Sequence, residues 1–189
     1  ALSVPPTRKY QSDGGPGMRD ILQLLKGSDT PEQDIATFMR ACILFWMLGA
    51  TDGHAKNFSI TLGPGGRFRL TPLYDVLTAQ PSLDVGQIQQ KKFKLAMSVG
   101  KNRHSPVGTI MPRHFLQTAE LAGVGSPLMR TIFEDLAANA EKQTDAVVNT
   151  LPRGFPEQLI TSVRAAIEHR AGLLDDASPN NAAVADGDG

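Results

Sequence analysis

Gly49-Ala-Thr-Asp-Gly-His-Ala-Lys-Asn57 is the stretch on which the fold turns. It is polar, and it follows Ala41-Cys-Ile-Leu-Phe-Trp-Met-Leu48, which is apolar on every side. A helix apolar all round sits inside a fold rather than on its surface. The loop at its end therefore sets polar chemistry against the core. Beyond the loop, Phe58-Ser-Ile-Thr-Leu62 and Arg67-Phe-Arg-Leu70 alternate apolar and polar residues around Gly63-Pro-Gly-Gly66. That pattern predicts an antiparallel β-hairpin with a four-residue loop. Asn57 immediately precedes the first strand and Asp75 lies just past the second. Paired strands run about 4.8 Å apart, so these two side chains are expected to converge. Asp52 lies on the same loop, five residues before Asn57.

Upstream, Thr30-Pro31 predicts the start of the buried helix, with Thr30 as N-cap and Gln33 closing a capping box. Ile21, Leu22, Leu24 and Leu25 form a shorter helical stripe that Gly27 can end. Residues 1–16, with Pro5, Pro6, Gly14, Gly15 and Pro16, read as an irregular approach. Downstream, Phe93 to Val99 alternates as a strand would. Three helices are expected at about 112–123, 127–149 and 156–174, the second with Ser126 as N-cap and the third with Pro156 as its first residue. The expected class is mainly α with a small β-hairpin. Residues 17–175 form the folded lobe, and 176–189, without an apolar stripe, form a disordered tail.

Composition narrows the function. Lys and Arg number 19, as do Asp and Glu, so no net positive charge marks a dedicated nucleic-acid binder. The one cysteine, Cys42, permits no disulfide within the chain and fits a reducing, cytoplasmic setting, where it reads as a small buried hydrophobe. Ala1-Leu-Ser-Val-Pro-Pro6 has no signal-peptide pattern and looks like mid-protein sequence. No apolar run approaches the roughly 20 residues of a membrane span.

Asp52, Asn57 and Asp75 have the order and spacing that phosphoryl transfer requires. Protein kinases use a catalytic-loop Asp to take or orient the acceptor hydroxyl's proton, then an Asn, then a second Asp beyond a short hairpin to hold Mg2+. Oxygen ligands suit this hard cation. The Asp-x4-Asn pair alone is unspecific, since Asp175/Asn180 and Asp176/Asn181 repeat it. The buried helix, the hairpin and the second Asp carry the reading. The same residues also fit a structural loop, with Asp52 capping a turn and Asp75 steadying the hairpin exit.

Gly49-Ala-Thr-Asp-Gly-His-Ala-Lys-Asn-Phe-Ser59, Leu73-Tyr-Asp75 and the upstream Lys9-Tyr10…Asp13-Gly-Gly-Pro16 resemble the HipA family of bacterial toxin kinases, over residues 1 to about 175. The resemblance implies the C-terminal lobe of a protein-kinase-related fold. It implies Asp52 as catalytic aspartate, Asn57 and Asp75 as Mg2+ ligands, and His54 and Tyr74 against the ATP. It further implies transfer of the γ-phosphate to a protein Ser or Thr, with aminoacyl-tRNA synthetases among the family's targets, and a link to persistence. The implied partner is a HipB-type helix-turn-helix antitoxin, through which DNA is bound. No membrane partner is implied.

Two departures from ordinary protein kinases stand out. Gly49-Ala-Thr replaces the His-Arg before the catalytic Asp, and Asp75-Val-Leu replaces Asp-Phe-Gly. No Gly-x-Gly-x-x-Gly loop and no Val-Ala-Ile-Lys strand is found, so the ATP-gripping N-terminal lobe is expected to lie outside this sequence and the fragment alone to be inactive. The rival reading is a truncated lobe that only binds proteins; a lipid or small-molecule kinase is a third. Lys56 is read as a cation for the transferred phosphate or as a plain ion pair. His54 with Asp52 and His104 or His114 would make a metal hydrolase, though without metal-ligand spacing. The basic run Lys91 to His104 reads as a solvated face or a phosphate contact.

Overall fold

The computed structural model describes Leu2 and residues 8–177. Its centre is the helix expected from the apolar run, α2, Pro31–Leu48. Pro31 stands at its first position, where a missing N–H costs nothing, and Glu32 and Asp34 in the first turn complement the positive end of the helix dipole. Phe38, Met39, Cys42, Ile43, Trp46 and Met47 are all buried, and the Trp46 indole nitrogen donates to the Val107 carbonyl at 3.2 Å. The Cys42 thiol is driven to a high pKa by burial alone, so it stays protonated and packs as a hydrophobe.

The expected capping box does not form. Thr30 makes no side-chain cap bond. Its hydroxyl accepts from Arg69 Nε at 3.3 Å, and Gln33 Oε1 accepts from Arg69 Nη2 at 3.4 Å. The guanidinium of the neighbouring hairpin has drawn both oxygens away from the helix end.

That hairpin pairs β1, Ile60–Leu62, with β2, Phe68–Leu70, and sets Ile60 opposite Leu70 and Leu62 opposite Phe68. Its loop is one residue longer than expected, running from Gly63 to Arg67, closed by a Gly63 N–H to Arg67 carbonyl bond of 2.7 Å. Asp34, buried in the first turn of α2, accepts the Leu70 N–H at 3.2 Å. Phe58 packs on Phe38 and Phe45 with ring centroids 4.7 and 5.7 Å apart. The hairpin is thus pinned to the helix that precedes it.

Around α2 lie α1, Met18–Leu25, and after the hairpin α3, Gln80–Asp84. The strand β3, Lys94–Val99, pairs with β4, His104–Pro106. Then come α4, Pro112–Leu121, α5, Ser126–Val148, and α6, Glu157–Asp176. Leu95, Met97 and Val99 of β3 turn inward onto the core. The second hairpin and α3 are additions to the expected class. α3 has too few residues to show a helical period, and β4 is short, polar and ends in proline. Ser126 is the first residue of α5 rather than its cap. Pro156, with ψ of 115°, stands outside α6 as its cap. α6 extends to Asp176, past the expected boundary of the tail; residues 178–189, expected to be disordered, lie outside the described residues. Among the described residues no helix is long and apolar enough to cross a membrane.

Candidate active site

Gly49 ends α2 in the left-handed conformation, φ 66°. Its N–H bonds the Trp46 carbonyl at 3.1 Å and the Ala50 N–H bonds the Phe45 carbonyl at 2.8 Å, a Schellman closure that turns the chain sharply out of the core. A Cβ on Gly49 would lie 2.6 Å from the Phe93 ring, and one on Gly53 2.3 Å from the Phe45 ring. Both glycines let the loop lie flat on buried aromatics.

The loop is then drawn into a knot by Asn57, which is 2% exposed. The His54 N–H bonds the Asp52 carbonyl at 2.8 Å and Asn57 Oδ1 at 3.0 Å, and the Asn57 N–H returns to the His54 carbonyl at 2.9 Å. The Asn57 amide nitrogen reaches across the hairpin's outer ends to Asp75, at 2.9 Å from Oδ2 and 3.3 Å from the backbone oxygen. The expected convergence of Asn57 and Asp75 is therefore present. Asp75 has φ 56°, an unusual conformation for a residue with a Cβ and one that gathers at functional sites.

Asp52 sits on the exposed side of the loop, its side chain 53% accessible. Its Oδ1 accepts the Tyr10 hydroxyl at 2.6 Å, with Lys9 Nζ at 3.7 Å and His54 Nε2 at 3.8 Å. His54 is 6% exposed, its ring edge-on to Tyr10 at 5.5 Å, and its Nδ1 is buried without a hydrogen-bond partner. The Tyr74 hydroxyl donates to the Lys56 carbonyl at 2.7 Å and lies 2.6 Å from Ser59 Oγ. The residue is 42% exposed beside Leu73, Val76 and Leu77, also exposed. Lys56 itself is exposed.

The Asp75 carboxylate and the Asn57 amide oxygen are the donor types that suit Mg2+, which takes the rest of its shell from phosphates and water, although it is the amide nitrogen that faces the carboxylate while the oxygen holds the His54 N–H. Asn57 Oδ1 has a second lone pair beyond the bond from His54. Nothing supports a hydrolase centre: His104 and His114 stack on each other at 3.9 Å. Among the described residues no three His, Cys, Asp or Glu side chains gather to hold a metal. Lys91, Lys92 and Lys94 of the basic run are exposed, and Lys101 pairs with Glu120 at 3.2 Å. Sequence reasoning gave Lys9 and Tyr10 no role at the site. They lie over forty residues upstream of Asp52, and only their presence in the Lys9-Tyr10…Asp13-Gly-Gly-Pro16 motif hinted at one.

Residues 1–144 match the family model of the HipA-like C-terminal domain. A protein of Sinorhizobium fredii (strain NBRC 101917 / NGR234) named as a candidate kinase, Y4mE, is 34% identical over 152 residues, covering 80% of this chain and 33% of that protein. The chain thus spans about a third of this curated relative. In fold it resembles a chain of the Shewanella oneidensis MR-1 toxin–antitoxin complex of HipA, HipB and operator DNA. The TM-score is 0.78 at 18% identity, over 93% of this chain and 43% of that one.

Proposed function

The chain belongs to the HipA-like C-terminal domain family, and from that premise we propose that it is the catalytic lobe of a toxin kinase that phosphorylates a protein Ser or Thr. The observation that carries this reading is the Asn57–Asp75 bond of 2.9 Å, which joins the loop bearing Asp52 to the far end of the hairpin. It sets the two proposed metal ligands side by side.

In the proposed reaction the acceptor oxygen bonds to the γ-phosphorus of ATP while the bridging P–O bond breaks and ADP leaves. Asp52 takes the hydroxyl proton. Asn57 and Asp75 would hold Mg2+, which when bound neutralises charge on the phosphates. Lys56, exposed on the same loop, would add positive charge near the transferred group. His54 is nearly buried, so its part is to support the loop and to offer an edge to the nucleotide. Tyr74, fastened to the loop by its hydroxyl and exposed, would lie against the nucleotide. The apolar surface of Leu73, Tyr74, Val76 and Leu77 around Asp75 supports a covering lobe, outside this chain, over the other side of ATP.

The fold shared with a chain of the HipA–HipB–operator complex supports a HipB-type antitoxin as partner; that this partner is a helix-turn-helix protein, that DNA is bound through it and that persistence is the physiological outcome belong to the proposal alone. An aminoacyl-tRNA synthetase is the proposed acceptor, in the cytoplasm. The test is to incubate the full-length protein with Mg2+, labelled ATP and a bacterial lysate, and to analyse the phosphoamino acids. Phosphoserine or phosphothreonine on a protein is expected. Label only on a lipid or soluble alcohol would overturn the protein-kinase assignment.

A further inference from the structure

We propose that Tyr10 is a positioning residue for Asp52, locking the carboxylate so that Oδ1 is held by the protein and Oδ2 faces the acceptor hydroxyl. This rests on the kinase reading above. Asp52 is more than half exposed, and on a loop such a side chain would sample several rotamers. The Tyr10 hydroxyl donates to its Oδ1 at 2.6 Å, a length typical of a charge-assisted O–H···O bond.

The tyrosine is itself held. Its carbonyl accepts the Asp13 and Gly15 N–H groups at 3.1 and 2.9 Å. Gly15 leaves no space for a Cβ, which would fall 2.6 Å from the Arg8 carbonyl oxygen and 2.7 Å from that of Tyr10. Next along the chain, Gln11 Oε1 accepts the Ser98 N–H at 2.8 Å and its hydroxyl at 2.9 Å, tying this turn to β3. The ring rests edge-on against buried His54. Lys9 Nζ lies 4.6 Å over the ring and 3.7 Å from the same carboxylate oxygen, a second contact from the same strap. The position of Asp52 is thus dictated by a strap anchored on a different part of the core from its own loop.

The test uses the full-length protein with Tyr10→Phe, Asp52→Asn and the double variant, each first checked for an unchanged thermal midpoint. Tyr10→Phe keeps the ring and removes only the hydroxyl. It should lower kcat roughly ten- to a hundredfold while the KM for ATP stays within about twofold. Asp52→Asn and the double variant should both be without transfer. Unchanged kcat in Tyr10→Phe, or a fall carried by KM for ATP with kcat unchanged, would overturn the proposal, as would phosphate found on Tyr10 itself. A parent that transfers no phosphate would instead sink the kinase reading, and with it any catalytic use of Tyr10; the parent's own activity tells the two failures apart.

Discussion

The Asn57 amide nitrogen stands 2.9 Å from Asp75 Oδ2, although 18 positions separate the two residues in the chain. The hairpin does this: β1 and β2 carry the chain out and back, and the Thr71 N–H to Ser59 carbonyl bond of 2.9 Å closes its open end. Asn57 works in both directions, since its oxygen also holds the His54 N–H. Asn57→Ala should therefore lower stability by about 1–3 kcal/mol, the cost of leaving a buried N–H unpaired. It should also raise the Mg2+ concentration needed for phosphoryl transfer by roughly tenfold, the worth of one lost ligand hydrogen bond or contact. Urea denaturation and a magnesium titration of the full-length protein's proposed phosphoryl transfer measure the two. An unchanged magnesium requirement would remove Asn57 from the ligand set.

The loop glycines differ in what a methyl group would meet. Gly49→Ala adds left-handed strain of roughly 1–2 kcal/mol to a collision with Phe93, whereas at Gly65, also of positive φ, nothing lies within 4 Å of the added Cβ. Gly53→Ala meets Phe45 and should cost about 1–3 kcal/mol through overpacking. The expected order of destabilisation in denaturant is Gly49→Ala above Gly65→Ala, with Gly53→Ala measurable at constant m-value. Equal losses at positions 49 and 65 would contradict the packing described.

Arg170 of α6 is 8% exposed and donates to the Met47 carbonyl and to Gln80 Oε1, both at 2.9 Å. Burial pulls its pKa down, and the charge of Asp84 pushes it back up. Gln80 in turn bonds Asp84 at 2.8 Å. The guanidinium thus joins α6 to the last turn of α2, just before the loop that bears Asp52. Arg170→Met should destabilise by about 2–4 kcal/mol, from two lost charge-assisted bonds and the acceptors left behind. A loss below about 0.5 kcal/mol, the level of an ordinary surface change, would show the pair to be incidental.

His114 supplies a pH dependence. It is 4% exposed and its Nδ1 accepts the Met111 N–H at 3.1 Å. Burial first, then the charges of His104 and Arg113, hold its pKa below the usual 6.5. The folded state thus refuses a proton that the unfolded chain accepts. This contribution to stability is complete above pH 6.5 and declines as the pH falls below it. His114→Gln, which keeps an acceptor for the Met111 N–H, should flatten the stability difference between about pH 7.5 and about pH 5.5. An unaltered slope would assign the acid sensitivity elsewhere.

Much of this was legible because the residues concerned report on local rules. Ala41 to Leu48 is apolar on all sides, and Gly49 follows it, so a buried helix with an abrupt exit could be read directly. The two alternating runs around Gly63 to Gly66 fixed the hairpin, and with it the meeting of Asn57 and Asp75. What escaped depends on contacts distant in sequence. Arg69 took the oxygens of Thr30 and Gln33 from the helix end, which no local pattern foretells. Gln80 to Asp84 is too short to show a period. Tyr10 reaches Asp52 only because Gln11 binds Ser98 on a strand nearly ninety residues later.

The most direct measurement is the intact mass of the full-length protein after incubation with Mg2+ and ATP, beside its Asp52→Asn and Asp75→Asn variants. The account predicts a gain of phosphate in the parent and none in either variant, with all three folded. Phosphate on both variants at the parent's level would contradict it. A parent that neither gains phosphate nor binds ATP would make this lobe a binding module.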